Sequence, residues 1–193
     1  MPGVGREHPS DHRRTPTVPM RSSIDLHFPQ LADLVEEWWR GVHPEGVPPH
    51  ITLLYPWQHP VTDTDLGAVS AIAAAHDPFA VEFTAVASFA SGVVYLHPEP
   101  QSTLRRLTSR LVNAFPDTPP YGGRFADPVP HLTLGKAQPG AELDGLQTQI
   151  AESLRGHLPV VEDVYALSVM EEQPDRSWRT VTSVTLRDTE STA

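Results

Sequence analysis

Residues 128–136, with the sequence PVPHLTLGK, decide the fold because an earlier stretch, residues 48–56 with the sequence PPHITLLYP, repeats their pattern. Both stretches read proline, histidine, an apolar residue, threonine and leucine. Both are apolar, contain β-branched residues and are bounded by Pro or Gly, which is typical of short strands. Side chains alternate between the two faces of a strand, so the histidine and the threonine of each stretch point the same way.

Two such strands side by side would form a site for phosphate chemistry. His50 and His131 would bring two imidazoles into one cleft, and Thr52 and Thr133 would add two hydroxyls. Acid–base chemistry at a phosphate ester needs an activated nucleophile and a proton for the departing oxygen. An imidazole with a pKa near 6.5 can serve either purpose, since one copy can be neutral and the other protonated at neutral pH. This scheme requires no metal ion and no cofactor.

The two motifs and their surroundings resemble those of the 2H phosphoesterases, a family that includes bacterial 2′–5′ RNA ligases and cyclic nucleotide phosphodiesterases. The segments GVVYLHPEP (92–100) and PPYGGRFADPVPHLTLGK (119–136) carry the likeness further. It extends from about Ile24 to Leu186. The resemblance implies a bilobal α+β fold with the cleft between the lobes. It also implies a metal-independent phosphodiesterase that opens a 2′,3′-cyclic phosphate.

The resemblance also implies the roles of the motif residues. His50 and His131 would be the acid–base pair, with His50 as the acid and His131 as the base, and Thr52 and Thr133 would bind the phosphate. The two motifs are near copies, and Lys136 alone breaks their symmetry. A cation close to His131 would lower the pKa of that ring and keep it neutral, as a base must be.

Lys136 is the only lysine among 14 basic residues, and it follows the second motif where ligases of the family usually carry arginine. It could bind the substrate phosphate as a point charge. Strict alternation places it on the opposite strand face from His131 and Thr133, so it reaches the site only if Gly135 marks a bulge or the strand end. A solvated lysine at the end of the strand is the alternative.

Aromatic residues flank both motifs and are candidates for stacking on a base: Tyr55, Trp57, Tyr121 and Phe125. Each of them could instead be a core aromatic. Arg124 lies in the Pro/Gly-rich loop 116–130 and could clamp the phosphate or ribose, although an arginine in a surface loop is the simpler interpretation. Tyr55, Tyr121 and Arg124 are the predicted substrate contacts.

Composition limits the classes of function. The net charge of −10 argues against an extended surface for long RNA or DNA, which needs clustered Lys and Arg, and leaves a small nucleotide or a short RNA end as the expected partner. The absence of cysteine excludes disulfides and thiolate chemistry. No apolar run is long enough for a membrane helix, and no secretory signal is visible. A cytoplasmic monomer without membrane contact is expected.

The order of elements predicts one domain built from two similar halves. Residues 1–20 are predicted to be a disordered tail, residues 21–188 a single bilobal domain, and residues 189–193 a disordered end. Strands are expected at 23–28, 79–86, 92–97, 160–170 and 178–187 besides the two motifs, and helices at 30–41, 62–75, 102–115 and 141–156. The fold class is α+β: two mainly antiparallel sheets, related by a pseudo-twofold duplication, face each other with helices outside.

Other interpretations of the paired motifs remain open at this stage. They could be ordinary buried strands, or part of a zinc site, although no convincing third ligand accompanies them. Within the family, 2′–5′ RNA ligation is an alternative to hydrolysis of a cyclic phosphate. A nucleotide-binding module without catalysis is a third possibility, although both motifs are intact.

Overall fold

The computed structural model describes residues 20–43 and 45–187 of the chain. The predicted tail at 1–20, apart from Met20, and the predicted disordered end at 189–193 lie outside the described residues. No helix in the described part of the chain is long and apolar enough to cross a membrane.

The described residues form strands and helices in the order expected from the sequence, except that one predicted strand is divided in two. These elements are β1 (Ser22–His27), α1 (Ala32–Trp39), β2 (His50–Leu54), α2 (Asp63–Ala74), β3 (Phe79–Phe89), β4 (Val93–Glu99), α3 (Gln101–Ala114), β5 (Leu132–Lys136), α4 (Ala141–Ser153), β6 (Val160–Val164), β7 (Ala166–Glu172) and β8 (Trp178–Thr185). Short 3-10 turns at Pro29–Leu31 and Pro120–Gly123 precede α1 and interrupt the long loop before β5.

The strands form two four-stranded antiparallel sheets with matching layouts. One sheet has the order β2-β1-β7-β8 and the other has the order β5-β4-β3-β6. Each His-x-Thr segment therefore supplies the edge strand of its sheet, and β2 and β5 contact each other where the sheets meet. This arrangement confirms the predicted bilobal α+β fold.

One predicted strand is wrong in its extent. The sequence predicted a single strand over 160–170, but the chain forms β6 up to Val164 and β7 from Ala166. β6 pairs with β3 in one sheet and β7 pairs with β1 in the other, so the chain crosses between lobes at Tyr165, which is 60% exposed. The apolar run at 160–170 is long enough for one strand, but it does not show where the chain changes from one partner strand to another. Strand pairing depends on residues that are distant in sequence.

A shared core joins the two lobes. Phe28, just after β1, meets Phe83 of β3 edge to face, with ring centroids 5.1 Å apart, and both side chains are fully buried. Trp57 packs similarly against Phe115, with a centroid separation of 5.1 Å. Burial of each such side chain contributes roughly 1.5–3 kcal/mol to folding. The contact of Phe28 with Phe83 joins the two sheets, whereas that of Trp57 with Phe115 joins the end of α3 to the segment after β2.

Both motif strands carry a bulge at the same place. In the first sheet Asp25 pairs with Thr52 while Ile24 pairs with Leu54, so one residue of β2 is skipped. In the second sheet Tyr95 pairs with Thr133 while Val94 pairs with Gly135, so one residue of β5 is skipped in the same way. Because a bulge inserts one unpaired residue, it changes which face the following side chains occupy. The duplication inferred from the sequence thus extends to an irregularity of the backbone.

Candidate active site

The motif strands line one cleft of about 410 Å³ between the lobes. Its walls include all four motif side chains together with residues from both lobes: Arg21, Ser23, Asp25, Val42, His43, Val47, His50, Thr52, Tyr55, Val93, Tyr121, His131, Thr133, Lys136, Met170 and Trp178. A cavity of this size suits a small ligand.

A larger groove of about 740 Å³ runs along α1 and the loop that precedes β2. It contains none of the motif side chains, and its walls include the carboxylates of Asp33, Glu36 and Glu45. Those negative charges oppose the binding of a phosphate. The smaller cleft, with its two histidines, is therefore the candidate site.

The same local hydrogen bond orients each motif histidine. The Nδ1 atom of His50 donates to the carbonyl oxygen of Pro48 at 3.0 Å, and that of His131 donates to the carbonyl oxygen of Val129 at 2.7 Å. A carbonyl can only accept, so Nδ1 carries a proton in both rings. Nε2 is left as the atom that can exchange a proton with a ligand. The proline two residues before His50 and the valine two residues before His131 thus serve the site through their backbones.

The two histidines have different surroundings. Phe89 and Tyr95 meet the His131 ring edge to face, with centroids 4.9 and 5.4 Å away. Burial lowers the pKa of His131; the hydrogen bond to Val129 opposes this, and the charges of His50 and Lys136 reinforce it. His131 is therefore suited to be neutral at pH 7. His50 instead lies near a carboxylate, with its Nε2 3.9 Å from Oδ1 of Asp25.

Lys136 lines the cleft with His131 and Thr133. The bulge in β5 accounts for this. Strict alternation would place Lys136 on the opposite face from His131, but the extra unpaired residue reverses the alternation, so that Lys136 lies on the same face. Gly135 also permits the close approach of α4: a Cβ at this position would lie 2.9 Å from Cδ2 of Leu146. The unpaired residue is Leu134, so the bulge lies one residue before Gly135, the position that the sequence suggested.

The predicted substrate contacts divide into two groups. Tyr55 and Tyr121 line the cleft, and burial together with the charge of Asp25 raises the pKa of Tyr121 to about 12. Arg124 is exposed and is not part of the cleft lining, so the loop places it outside the site. Trp57 is buried in the core, and Phe125 is half exposed against Tyr121. These two aromatic residues are therefore not part of the cleft either.

A third histidine in the cleft was not expected. The ring of His43 stacks on Trp39 with centroids 3.5 Å apart, and its centroid is 5.3 Å from that of His50. Its Nε2 donates to the carbonyl oxygen of Thr133 at 3.3 Å, which links the two lobes. Burial, followed by the charge of His50, lowers the pKa of His43 to about 3. His43 follows α1 without any motif, so the sequence held no signal for it.

Arg21 and Trp178 are further cleft residues that the sequence did not single out. The Arg21 guanidinium donates through Nε and Nη2 to the buried carboxylate of Glu172, at 2.9 and 3.1 Å, and through Nη1 to the Tyr55 hydroxyl. The Trp178 ring lies 6.2 Å from the Tyr55 ring, and its backbone N–H donates to the Glu45 carbonyl at 3.0 Å. Together they form an aromatic wall supported by an ion pair.

No three His, Cys, Asp or Glu side chains within 20–43 and 45–187 are grouped as a bound metal ion would require. The cleft thus brings together two imidazoles, two hydroxyls and one lysine. These groups can bind an anion and exchange protons with it.

Sequence comparisons match most of the chain to a known family. A family model described as the 2′-5′ RNA ligase superfamily matches residues 27–176. A protein of Geobacillus thermodenitrificans named "Putative phosphoesterase" is 31% identical over 115 residues, and a similarly named protein of Geobacillus kaustophilus is 34% identical over 113 residues. Each match covers 54% of this chain and 60% of the relative. The chain thus spans about 60% of the length of these curated relatives.

Structural comparisons identify the same fold. A crystal structure of a phosphoesterase matches with a TM-score of 0.56 at 17% identity, over 89% of this chain and 100% of that chain. Escherichia coli LigT complexed with 3′-AMP matches with a TM-score of 0.55 at 17% identity and the same coverage.

Proposed function

Because this chain belongs to the 2′-5′ RNA ligase superfamily, the 2H phosphoesterases, we propose that it hydrolyses a 2′,3′-cyclic phosphate on a nucleotide or a short RNA end. The observation that carries the proposal is the convergence of both His-x-Thr strands and Lys136 on one cleft. The two histidines have their Nδ1 atoms occupied by backbone carbonyls, which leaves both Nε2 atoms for proton transfer.

The reaction assigns one proton transfer to each histidine. The oxygen of a water molecule attacks phosphorus while Nε2 of His131 takes a proton from that water. The bond between phosphorus and one ribose oxygen breaks while Nε2 of His50 donates its proton to that oxygen. The product is a phosphomonoester with a free hydroxyl, and both imidazoles exchange protons with solvent before the next cycle. The hydroxyls of Thr52 and Thr133 bind the non-bridging oxygens.

The charges of the cleft favour a singly charged substrate. The guanidinium of Arg21 is committed to Glu172 and the acid form of His50 lies beside Asp25, so Lys136 is the remaining Lys or Arg among the described lining residues to face a phosphate. A cyclic phosphodiester carries one negative charge and matches one lysine. The ring-opened monoester gains a second charge near neutral pH, which Asp25 and the acidic protein surface oppose. This balance favours release of the product.

The aromatic wall of Tyr55 and Trp178, with Tyr121 nearby, supplies flat surfaces on which a base can stack. The LigT structure, whose ligand is 3′-AMP, supports a small nucleotide as ligand here as well. The net charge of −10 supports the same choice over a long RNA.

The test is hydrolysis of 2′,3′-cyclic mononucleotides, of ADP-ribose cyclic phosphate and of short RNA ending in a cyclic phosphate, all with excess EDTA. We expect turnover that His50→Ala and His131→Ala each reduce by at least about 100-fold, the usual effect of losing a general acid or base. His157→Ala is the matched control, because His157 is exposed and outside the cleft. Failure on every substrate, or loss of turnover in EDTA, would refute the proposal.

Two further assays separate the alternatives within the family. Joining of RNA halves through a 2′–5′ bond, with no hydrolysis of cyclic phosphates, would favour ligation. Nucleotide binding that is unchanged in the double variant His50→Ala/His131→Ala, with no turnover by the parent, would favour a binding module.

A further inference from the structure

We propose that Asp25 is a positioning residue that makes His50 the acid of the pair, because its buried carboxylate lies beside the Nε2 atom of that ring. The proposal rests on the proposed function for its catalytic meaning. Its physical content, the control of the proton on His50, does not depend on turnover.

The carboxylate of Asp25 is placed where it has to interact with His50. It is 1% exposed, and its Oδ2 accepts a hydrogen bond from Ser23 Oγ at 2.5 Å. Oδ1 lies 3.9 Å from Nε2 of His50 and has no hydrogen-bond partner within the described residues. A buried carboxylate is costly unless a nearby positive charge or donor compensates it. In this geometry, a proton on His50 supplies the positive charge that compensates the buried carboxylate.

The duplication of the fold makes this carboxylate conspicuous. Asp25 is opposite Thr52 in the first sheet, and Tyr95 is opposite Thr133 in the second, each directly beside the bulge. The equivalent positions of two near-identical motifs thus hold a carboxyl group in one lobe and a phenol in the other. Tyr95 stacks on Phe89 and contributes no charge to its histidine. This difference in residue type gives the two histidines different neighbours at equivalent positions.

Other groups around His50 do not supply a counter-charge. Burial lowers the pKa of His27, from β1, to about 4 and that of His43 to about 3, so both rings are neutral at pH 7. Tyr121, which faces Asp25, has its pKa raised to about 12 and is also neutral. His131, just before β5, and Lys136, at the end of β5, can only add positive charge.

Asp25 and His50 are thus expected to hold a proton between them at neutral pH. Burial raises the pKa of Asp25, while His50 and the hydroxyls of Ser23 and Thr52 act in the opposite direction. Since Asp25 is almost fully buried, His50 is the member of the pair that can deliver the proton to a ligand. The attraction between the Asp25 carboxylate and the protonated His50 ring stabilises the acid form of that ring.

The test compares Asp25→Asn with Tyr95→Phe, the change at the equivalent position of the other lobe. The imidazole signals of His50 are titrated by NMR in the ¹⁵N-labelled full chain without ligand. We expect the titration of the His50 signals to move to lower pH in Asp25→Asn and to stay as in the parent in Tyr95→Phe. A His50 pKa that does not move in Asp25→Asn would overturn the proposal.

Kinetics supply a second readout that a purely structural role would not produce. With 2′,3′-cyclic AMP, we expect kcat of Asp25→Asn to fall about 10- to 100-fold with little change in KM, and the alkaline limb of the pH–rate profile to move to lower pH. With an aryl phosphodiester, whose leaving group needs no proton, we expect a loss of less than about threefold. Equal losses on both substrates would overturn the proposal.

The two proposals fail in different ways. If the parent hydrolyses no cyclic phosphate but Asp25→Asn still lowers the pKa of His50, the proposed function fails and the role of Asp25 stands. If Asp25→Asn does not fold, Ser23→Ala replaces it. Removing the Ser23 hydroxyl makes the buried carboxylate easier to protonate, so the pKa of His50 should fall by a smaller amount, and no fall would count against the proposal.

Discussion

Replacing His43 by phenylalanine should make the protein less sensitive to mild acid. Phenylalanine keeps an aromatic ring against Trp39, where the His43 ring lies 3.5 Å away, but cannot be protonated. In the wild type, burial lowers the pKa of His43 to about 3, whereas the unfolded chain has the ordinary value near 6.5. The unfolded state therefore binds the proton first as the pH falls, and the loss of stability begins near pH 6.5 and continues towards pH 3.

The size of the effect follows from that difference in pKa. Between pH 7 and pH 5 the unfolded chain becomes protonated at His43 while the folded chain does not, which lowers the free energy of unfolding by about 2 kcal/mol. His27, with its pKa lowered to about 4, adds a similar amount in both proteins. The variant should thus lose about 2 kcal/mol less than the wild type over this interval.

Urea unfolding followed by tryptophan fluorescence at pH 7, 6 and 5 measures this difference. The variant is expected to be less stable than the wild type at pH 7, because the hydrogen bond to the Thr133 carbonyl is lost, and the gap should narrow as the pH falls. His157→Phe is the control, since His157 is exposed and lies outside the cleft. A gap between wild type and His43→Phe that is the same at pH 7 and pH 5 would refute the reasoning.

Three further predictions concern the walls of the cleft. Gly46→Ala should lower the free energy of unfolding by about 3 kcal/mol in urea titrations, because Gly46 has φ +84° and a Cβ there would lie 2.1 Å from the Trp178 carbonyl oxygen. Gly145→Ala is the control and should not be destabilising, because a Cβ at this position on α4 meets open space. Equal effects of the two substitutions would contradict this reasoning. Lys136→Ala should raise KM for a cyclic nucleotide about tenfold, whereas Lys136→Arg should keep KM close to the parent value. An unchanged KM of Lys136→Ala in steady-state kinetics would show that Lys136 does not bind the phosphate. Trp178→Ala should weaken nucleotide binding in calorimetry by about 1–3 kcal/mol, whereas ribose cyclic phosphate without a base should bind both proteins equally.

Local sequence was sufficient to predict the two motif strands and the class of fold. A strand alternates its side chains with period two, so the direction shared by His50 and Thr52, or by His131 and Thr133, follows from their spacing alone. Apolar periodicity likewise located the four helices to within a few residues. These properties depend on neighbours in the chain, and a single sequence contains them in full.

The distant contacts of the cleft could not be read in this way. Asp25, His43 and Trp178 belong to segments that carry no motif, and they reach the site because β1, the loop after α1 and β8 converge on it. Arg124 shows the opposite error: it is close to His131 in sequence, but its loop places it on the surface. Proximity along the chain is a poor guide wherever a loop rather than a strand determines direction.

The amino-acid sequence by itself determined that two His-x-Thr strands exist and what chemistry their side chains can perform. Only the tertiary structure decided which strand edges meet, that a bulge returns Lys136 to the cleft, and that a carboxyl group lies beside one histidine and a phenol beside the other. The physical reason is that the protonation of an imidazole depends on charges and burial within a few ångströms. In this protein, elements far apart in sequence supply those charges and that burial.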